Sequence, residues 1–141
     1  LRDLLEVRRS LEVLAIRLAC DKMTEETLEL LHENIDAFKH SIDAKATSDI
    51  ASVDVSFHDI IYKSTGNNRL IQILNNISEQ MYRYRFEYIK NKEAWNRLVE
   101  EHMNIYEAIK NRDKELAVKS ILLHIDNQER DIRKKMGFDK I

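Results

Sequence analysis

Proline is absent from this 141-residue chain, glycine occurs twice and cysteine once. Average usage would place roughly 7 prolines and 10 glycines in this length. Sandwiches, barrels and βαβ units need those residues at their chain reversals, so their scarcity excludes all-β and α/β folds. The lone Cys20 rules out an intramolecular disulfide framework and a cysteine-rich zinc site, and fits a reducing, cytoplasmic setting. Arg17 interrupts the apolar run from Leu14 to Cys20, and no other run approaches the roughly 20 residues of a membrane span. No secretory pattern of basic then apolar residues opens the sequence. An excess of one charge is lacking too: 23 Lys and Arg face 25 Asp and Glu, which gives no general reason to grip a polyanion.

Apolar residues are plentiful and regularly spaced, which argues against disorder. Leu4, Val7, Leu11, Leu14 and Leu18 step by threes and fours and predict one buried helical stripe. Leu28, Leu31, Ile35, Phe38 and Ile42 repeat it after a break at Asp21-Lys22-Met23, with Thr24 as N-cap and Glu25 and Glu26 at the positive end of the helix dipole. A third helix is expected from Ser48 or Asp49, carrying Ile50, Val53, Phe57, Ile60 and Ile61. Gly66 reads as the residue that ends it, and Asn67 or Asn68 as the cap of a fourth helix running to about Lys90. A fifth holds Trp95, Leu98, Val99, Ile105, Tyr106 and Ile109. Asp113 can cap a sixth, which Met136-Gly137 ends. The pattern predicts an all-α fold, an antiparallel bundle of about six helices, forming a single domain over 1–141. Leu1 already lies inside a helical pattern with no Met before it, so the chain is expected to be a piece of a longer protein.

Five histidines can carry chemistry. At about 100° per residue, His102 falls near the middle of the stripe of Trp95, Leu98, Val99, Ile105 and Tyr106. A polar ring there must find a partner or cost about 1–3 kcal/mol in desolvation; a backbone carbonyl could supply one. Asp54 and His58 form an i, i+4 pair beside the stripe of Val53, Phe57 and Ile61, and His124 sits at a similar edge next to Ala117 and Ile121. Three helices could thus aim Asp54, His58, His102 and His124 into one interior site, which is how bundles build metal centres. Asp36 and His40 have the same spacing but lie opposite their stripe, so they are expected on a solvated face. Glu29 and His32 give a single E-x-x-H string, where a di-iron carboxylate bundle would need two.

In order along the chain, these segments resemble the FCD domain, the C-terminal effector-binding domain of FadR-branch GntR-type transcription regulators. Glu6-Val7-Arg8 with Leu11-Glu12 and Leu18-Ala19 is similar to that family's opening helix, and Asp54-Val55-Ser56-Phe57-His58 to its D-x-x-F-H element. Gly66-Asn67 with Leu70 resembles its G-N-x-x-L turn. Glu101-His102 with Ile105 and Ala108-Ile109 resembles its E-H-x-x-I-x-x-A-I stretch, and Asp113, Ala117 and His124 its closing helix. The likeness spans about 4–129. It implies a metal held by Asp54, His58, His102 and His124, a homodimer, and DNA binding through an N-terminal winged helix-turn-helix domain that this chain does not contain. The fatty-acid-responsive members lack this histidine set, so acyl-CoA specificity is not implied. Ile121-Leu122-Leu123 is bulkier than the family's alanine-rich closing helix and is expected to narrow the interior.

Three imidazoles and one carboxylate suit one divalent transition metal, Zn²⁺ or Ni²⁺, rather than Ca²⁺ or Mg²⁺. The resemblance favours an open coordination sphere that a small organic acid completes. Arg8 is the candidate for holding the effector's carboxylate; the competing assignment is a salt bridge to Glu12. Two other readings stay open: a structural metal-bound dimerisation bundle, and a hydrolase in which bound metal activates water. Glu101, beside His102, is the candidate base for the latter, and it is expected to project well away from His102.

Overall fold

The computed structural model describes residues 1–137, so the last four residues of the expected 1–141 domain lie outside the described ones. Six α-helices follow one another: α1 (Arg2–Lys22), α2 (Glu25–Asp43), α3 (Thr47–Ser64), α4 (Asn68–Ile89), α5 (Trp95–Lys110) and α6 (Lys114–Met136). A 3-10 turn, Lys92–Ala94, leads into α5. No strand occurs among the described residues, in agreement with the all-α expectation.

The helix starts follow their local chemistry. Thr24 Oγ1 accepts from the Thr27 backbone N–H at 3.1 Å, Asn67 Oδ1 from Leu70 at 3.0 Å and Asp113 Oδ1 from Leu116 at 3.1 Å. Each satisfies one of the otherwise orphaned donors of a first turn. Helix α3 differs from expectation by a residue or two. It opens at Thr47 after Ala46, which offers no side-chain cap. Gly66 follows the C-cap of α3 with φ +65°, a backbone state that glycine adopts without steric penalty.

Arg9 pairs with Asp126 and Lys114 with Asp21, so α1 and α6 run antiparallel along their length. Helix α2 packs on α3 and α5, and α3 also packs on α1 and α4. Three apolar clusters fill the interior. One is built around Leu31, Ile35, Phe57, Ile105 and Ile121, a second around Phe38, Ile50, Met81, Trp95 and Leu98, and a smaller third joins Ala15, Tyr62, Leu70 and Leu74.

Helix α1 corrects the sequence reading. Val7 and Leu14 are 50% and 43% exposed, and the buried face is instead Leu5, Arg8, Glu12, Ala15, Ile16 and Ala19. The apolar stripe is rotated by about one residue, roughly 100°, from the face that enters the core. Ile73 of α4 is also exposed, at 40%. Leu123, expected to crowd the interior, points outward at 55% exposure, while Ile121 is buried.

Candidate metal centre

Asp54 and His58 sit one turn apart on α3, His102 lies mid-way along α5, and His124 lies on α6. All four are fully buried, and one ligand atom from each lies within 4.8 Å of the others. The structure therefore brings together all four residues that the sequence nominated. His102 is stacked flat on Phe57, with ring centroids 3.9 Å apart, and meets Phe38 edge-on at 5.0 Å. Those two phenylalanines belong to different core clusters, so the site lies where the two larger clusters meet.

The donor atoms are arranged for a shared cation. His102 Nε2 is 3.1 Å from Asp54 Oδ1, His58 Nε2 is 3.7 Å from the same oxygen, and the Nε2 atoms of His58 and His124 are 3.3 Å apart. Metal–donor bonds of ~2.0–2.2 Å set neighbouring donors roughly 3.0–3.5 Å apart, so these spacings fit one ion. Asp54 Oδ1 and Oδ2 and His102 Nε2 are buried without an aligned hydrogen-bond partner. Close donors that do not satisfy one another are costly in a dry interior, and a cation would satisfy them together.

Surrounding groups fix the ligands. Glu101 Oε1 lies 2.8 Å from His124 Nδ1, which places the ring proton on Nδ1 and leaves Nε2 free to ligate. Asn127 Nδ2 donates to the other Glu101 oxygen at 2.6 Å, and Arg97 Nε approaches it at 3.4 Å. Glu101 does turn away from His102, as expected, but toward His124. Its role as an orienting carboxylate was missed. Arg85, on α4, was missed as well. It is 1% exposed, and its Nη1 stands 3.4 Å from Asp54 Oδ2.

The charge states follow from these neighbours. Burial raises the Asp54 pKa, but the Arg85 guanidinium and the adjacent imidazoles outweigh it and hold the carboxyl well below its ordinary value. Burial keeps His58 and His102 below the usual imidazole value, against the pull of Asp54. Neutral imidazoles and an ionised carboxylate are the forms that bind metal. Glu101 is also held below its ordinary value: burial opposes this, and His124, Asn127 and Arg97 override it.

Arg8 stands on the buried face of α1. It is 1% exposed, and its Nε donates to Glu12 Oε2 at 3.3 Å, so the salt bridge to Glu12 forms. Tyr62, one turn beyond His58, donates its hydroxyl to the same Glu12 oxygen at 3.0 Å. Both Arg8 Nη atoms remain buried without a partner. Asp36 and His40 are exposed, as their positions on the wheel predicted, and His32 is exposed as well.

The FCD domain profile matches residues 3–127. The chain belongs to the FCD domain family. It is 31% identical over 134 residues to the HTH-type transcriptional regulator LutR of Bacillus subtilis, covering 91% of this chain and 60% of that protein. An uncharacterized HTH-type regulator of the same organism, YdhC, is 23% identical over 126 residues, covering 89% of this chain and 56% of its own length. The FCD chain therefore spans little more than half of these relatives. Among solved structures, E. coli McbR/YncC superimposes with a TM-score of 0.87 at 18% identity, over 94% of this chain and 67% of that one. Streptococcus agalactiae GntR gives 0.77 at 24%, over 91% and 57%. These two likenesses speak for the fold. The family is the effector-binding domain of GntR-type transcription regulators. Its relatives are regulators rather than enzymes, which argues against the hydrolase alternative.

Proposed function

We propose that this FCD domain senses a small organic acid through a divalent transition metal, Zn²⁺ or Ni²⁺, held by Asp54, His58, His102 and His124. The observation that carries the reading is the buried convergence of one carboxylate and three imidazoles from three helices. When bound, the metal would supply a Lewis-acidic centre able to attract a carboxylate. The chain's own residues do the rest: Glu101 orients His124, Arg85 keeps Asp54 ionised, and Arg8 offers its two Nη atoms to the acid.

The site joins α3, α5 and α6, with α1 and α4 beside it, so an acid bound there can favour one packing of these helices over another. It shifts that equilibrium only by its differential affinity for the two packings. Control of DNA binding would pass to a winged helix-turn-helix domain preceding residue 1 in a cytoplasmic, homodimeric parent protein. Support for the dimer comes from the apolar face that α1 and α4 share, where Val7 and Ile73 are exposed beside Leu4. Within this reading, residues 1–141 are a single domain. No helix among the described residues is long and apolar enough to cross a membrane.

Elemental analysis and a thermal-shift screen test the reading together. Purified protein should hold close to one transition metal per chain, His102→Ala should lose it, and His40→Ala should keep it. Small hydroxy and dicarboxylic acids should raise the melting temperature only when metal is present. Metal retained in the His102→Ala protein would overturn the site. Metal without any acid response would leave the structural bundle.

A further inference from the structure

Three buried polar side chains near the ligand cluster keep atoms without a hydrogen bond, and the proposed metal-binding role uses only part of what they offer. Arg8 has both Nη atoms unpartnered, Arg85 its Nε, and Gln128 both atoms of its amide. Each residue is 1% exposed. Their positions surround the ligands. Arg85 Nη1 is 3.4 Å from Asp54 Oδ2. Arg8 connects through Glu12 to Tyr62, whose ring lies against that of His58 at 6.3 Å. Gln128 is one turn beyond His124 on α6, so the two share a face. The pairings of Arg9 with Asp126 and of Asp21 with Lys114 put Arg8 level with residues 127–128 across the α1–α6 contact.

The buried charges balance in pairs. Arg8 faces Glu12, with side chains 2% and 2% exposed, Arg85 faces Asp54, at 2% and 0%, and the buried Glu101 faces Arg97 at 3.4 Å. Histidine ligates as the neutral ring, so the protein's own charge around the site sums to zero. A divalent ion makes that region doubly positive. A buried charge that stays unpaired is strongly unfavourable. A monocarboxylate would cancel half of this excess, whereas a dicarboxylate would cancel all of it. The unpartnered donors suit a second carboxylate beyond one at the Asp54–histidine end: the Nη pair of Arg8 matches it in the bidentate manner, with the Gln128 amide beside it.

We infer that the acid sensed is a small dicarboxylate, one carboxylate lying at the Asp54–histidine end of the site and the other held by Arg8 and Gln128. This rests on the metal-dependent sensing reading above and narrows it. Gln128 then serves binding at the expense of stability, because a buried amide without partners is less favourable than an apolar side chain of similar size.

Calorimetry on the metal-loaded chain with matched acids tests this. Malate and 2-hydroxybutyrate share a carbon skeleton and hydroxyl and differ by one carboxylate, as do succinate and butyrate. In each pair the diacid should bind at least tenfold more tightly. Arg8→Gln should reduce that preference to within about threefold while metal content per chain stays the same. Gln128→Leu, which threatens folding far less, should weaken the diacid at least severalfold and raise the melting temperature of the acid-free protein. Equal affinities within both pairs, or a Gln128→Leu protein with unaltered diacid affinity, would overturn the inference and leave metal-dependent sensing standing. If no acid binds a chain that holds its metal, the sensing function itself fails.

Discussion

Asp36–His40 and Asp54–His58 have the same spacing and share one helix face each, yet they end in opposite environments. On α2 the pair faces water, and Asp36 meets the exposed His32 at 3.6 Å. On α3 the pair is buried, and His102, His124 and Arg85 approach it from three other helices. Spacing determines that two side chains project together. Whether they become a site depends on which face of the helix the core takes, and on what the facing helices present there.

Replacing each aspartate by asparagine should break the comparison most sharply. Asp54→Asn keeps the shape but leaves the buried Arg85 guanidinium without its counter-charge. Removing one partner of a buried ion pair typically costs about 3–5 kcal/mol, and urea denaturation of the metal-free protein should show a loss of that size. Asp36→Asn removes an exposed charge and should change stability by less than about 0.5 kcal/mol. Similar losses from the two variants would mean that burial is not what separates the pairs.

Acid should separate the same two regions. His58 and His102 are held below the ordinary imidazole value by burial. In the unfolded chain both take up a proton as the pH falls through about 6.5, while in the folded chain they resist it. The unfolded state then binds more protons, so stability must decline as pH drops below about 6.5. The slope approaches about 1.4 kcal/mol per pH unit for each of the two rings. His40→Ala should leave the slope in place, because the two buried rings that cause it are untouched.

The same contrast explains how much could be read without coordinates. Helix number, most helix ends and the four clustered residues were legible, because 3.6-residue periodicity and capping chemistry act locally. The burial of α1 was not. Its interior face carries Arg8 and Glu12 between Leu5 and Ala15, so counting apolar residues favours the neighbouring face, where Val7 and Leu14 lie. Arg85 has a signal of the same kind, since Leu74, Ile77, Met81, Arg85 and Tyr88 keep a three-and-four spacing and are all buried. Gln128 interrupts the series Ile121, Ile125 and Ile132 in the same way. A polar residue at a stripe position marks where the core changes from packing to chemistry, and it is the feature that apolar periodicity discards.

Glu101 gives the finest test of that idea, because its neighbour Glu100 has the same chemistry on an exposed face. Glu101 occupies a stripe position between Leu98 and Ile105 and reaches His124 Nδ1 at 2.8 Å. Glu101→Gln preserves the size of the side chain but removes the charge that sets the His124 tautomer and strengthens the ring as a ligand. Losing such an orienting partner typically weakens metal binding by about 10–100-fold, equivalent to roughly 1.4–2.7 kcal/mol. Competition with a metal-binding dye should show that drop for Glu101→Gln and none for Glu100→Gln. An unchanged affinity in the Glu101 variant would mean that packing alone holds the His124 ring in place, and that the carboxylate contributes only to the ion pair with Arg97.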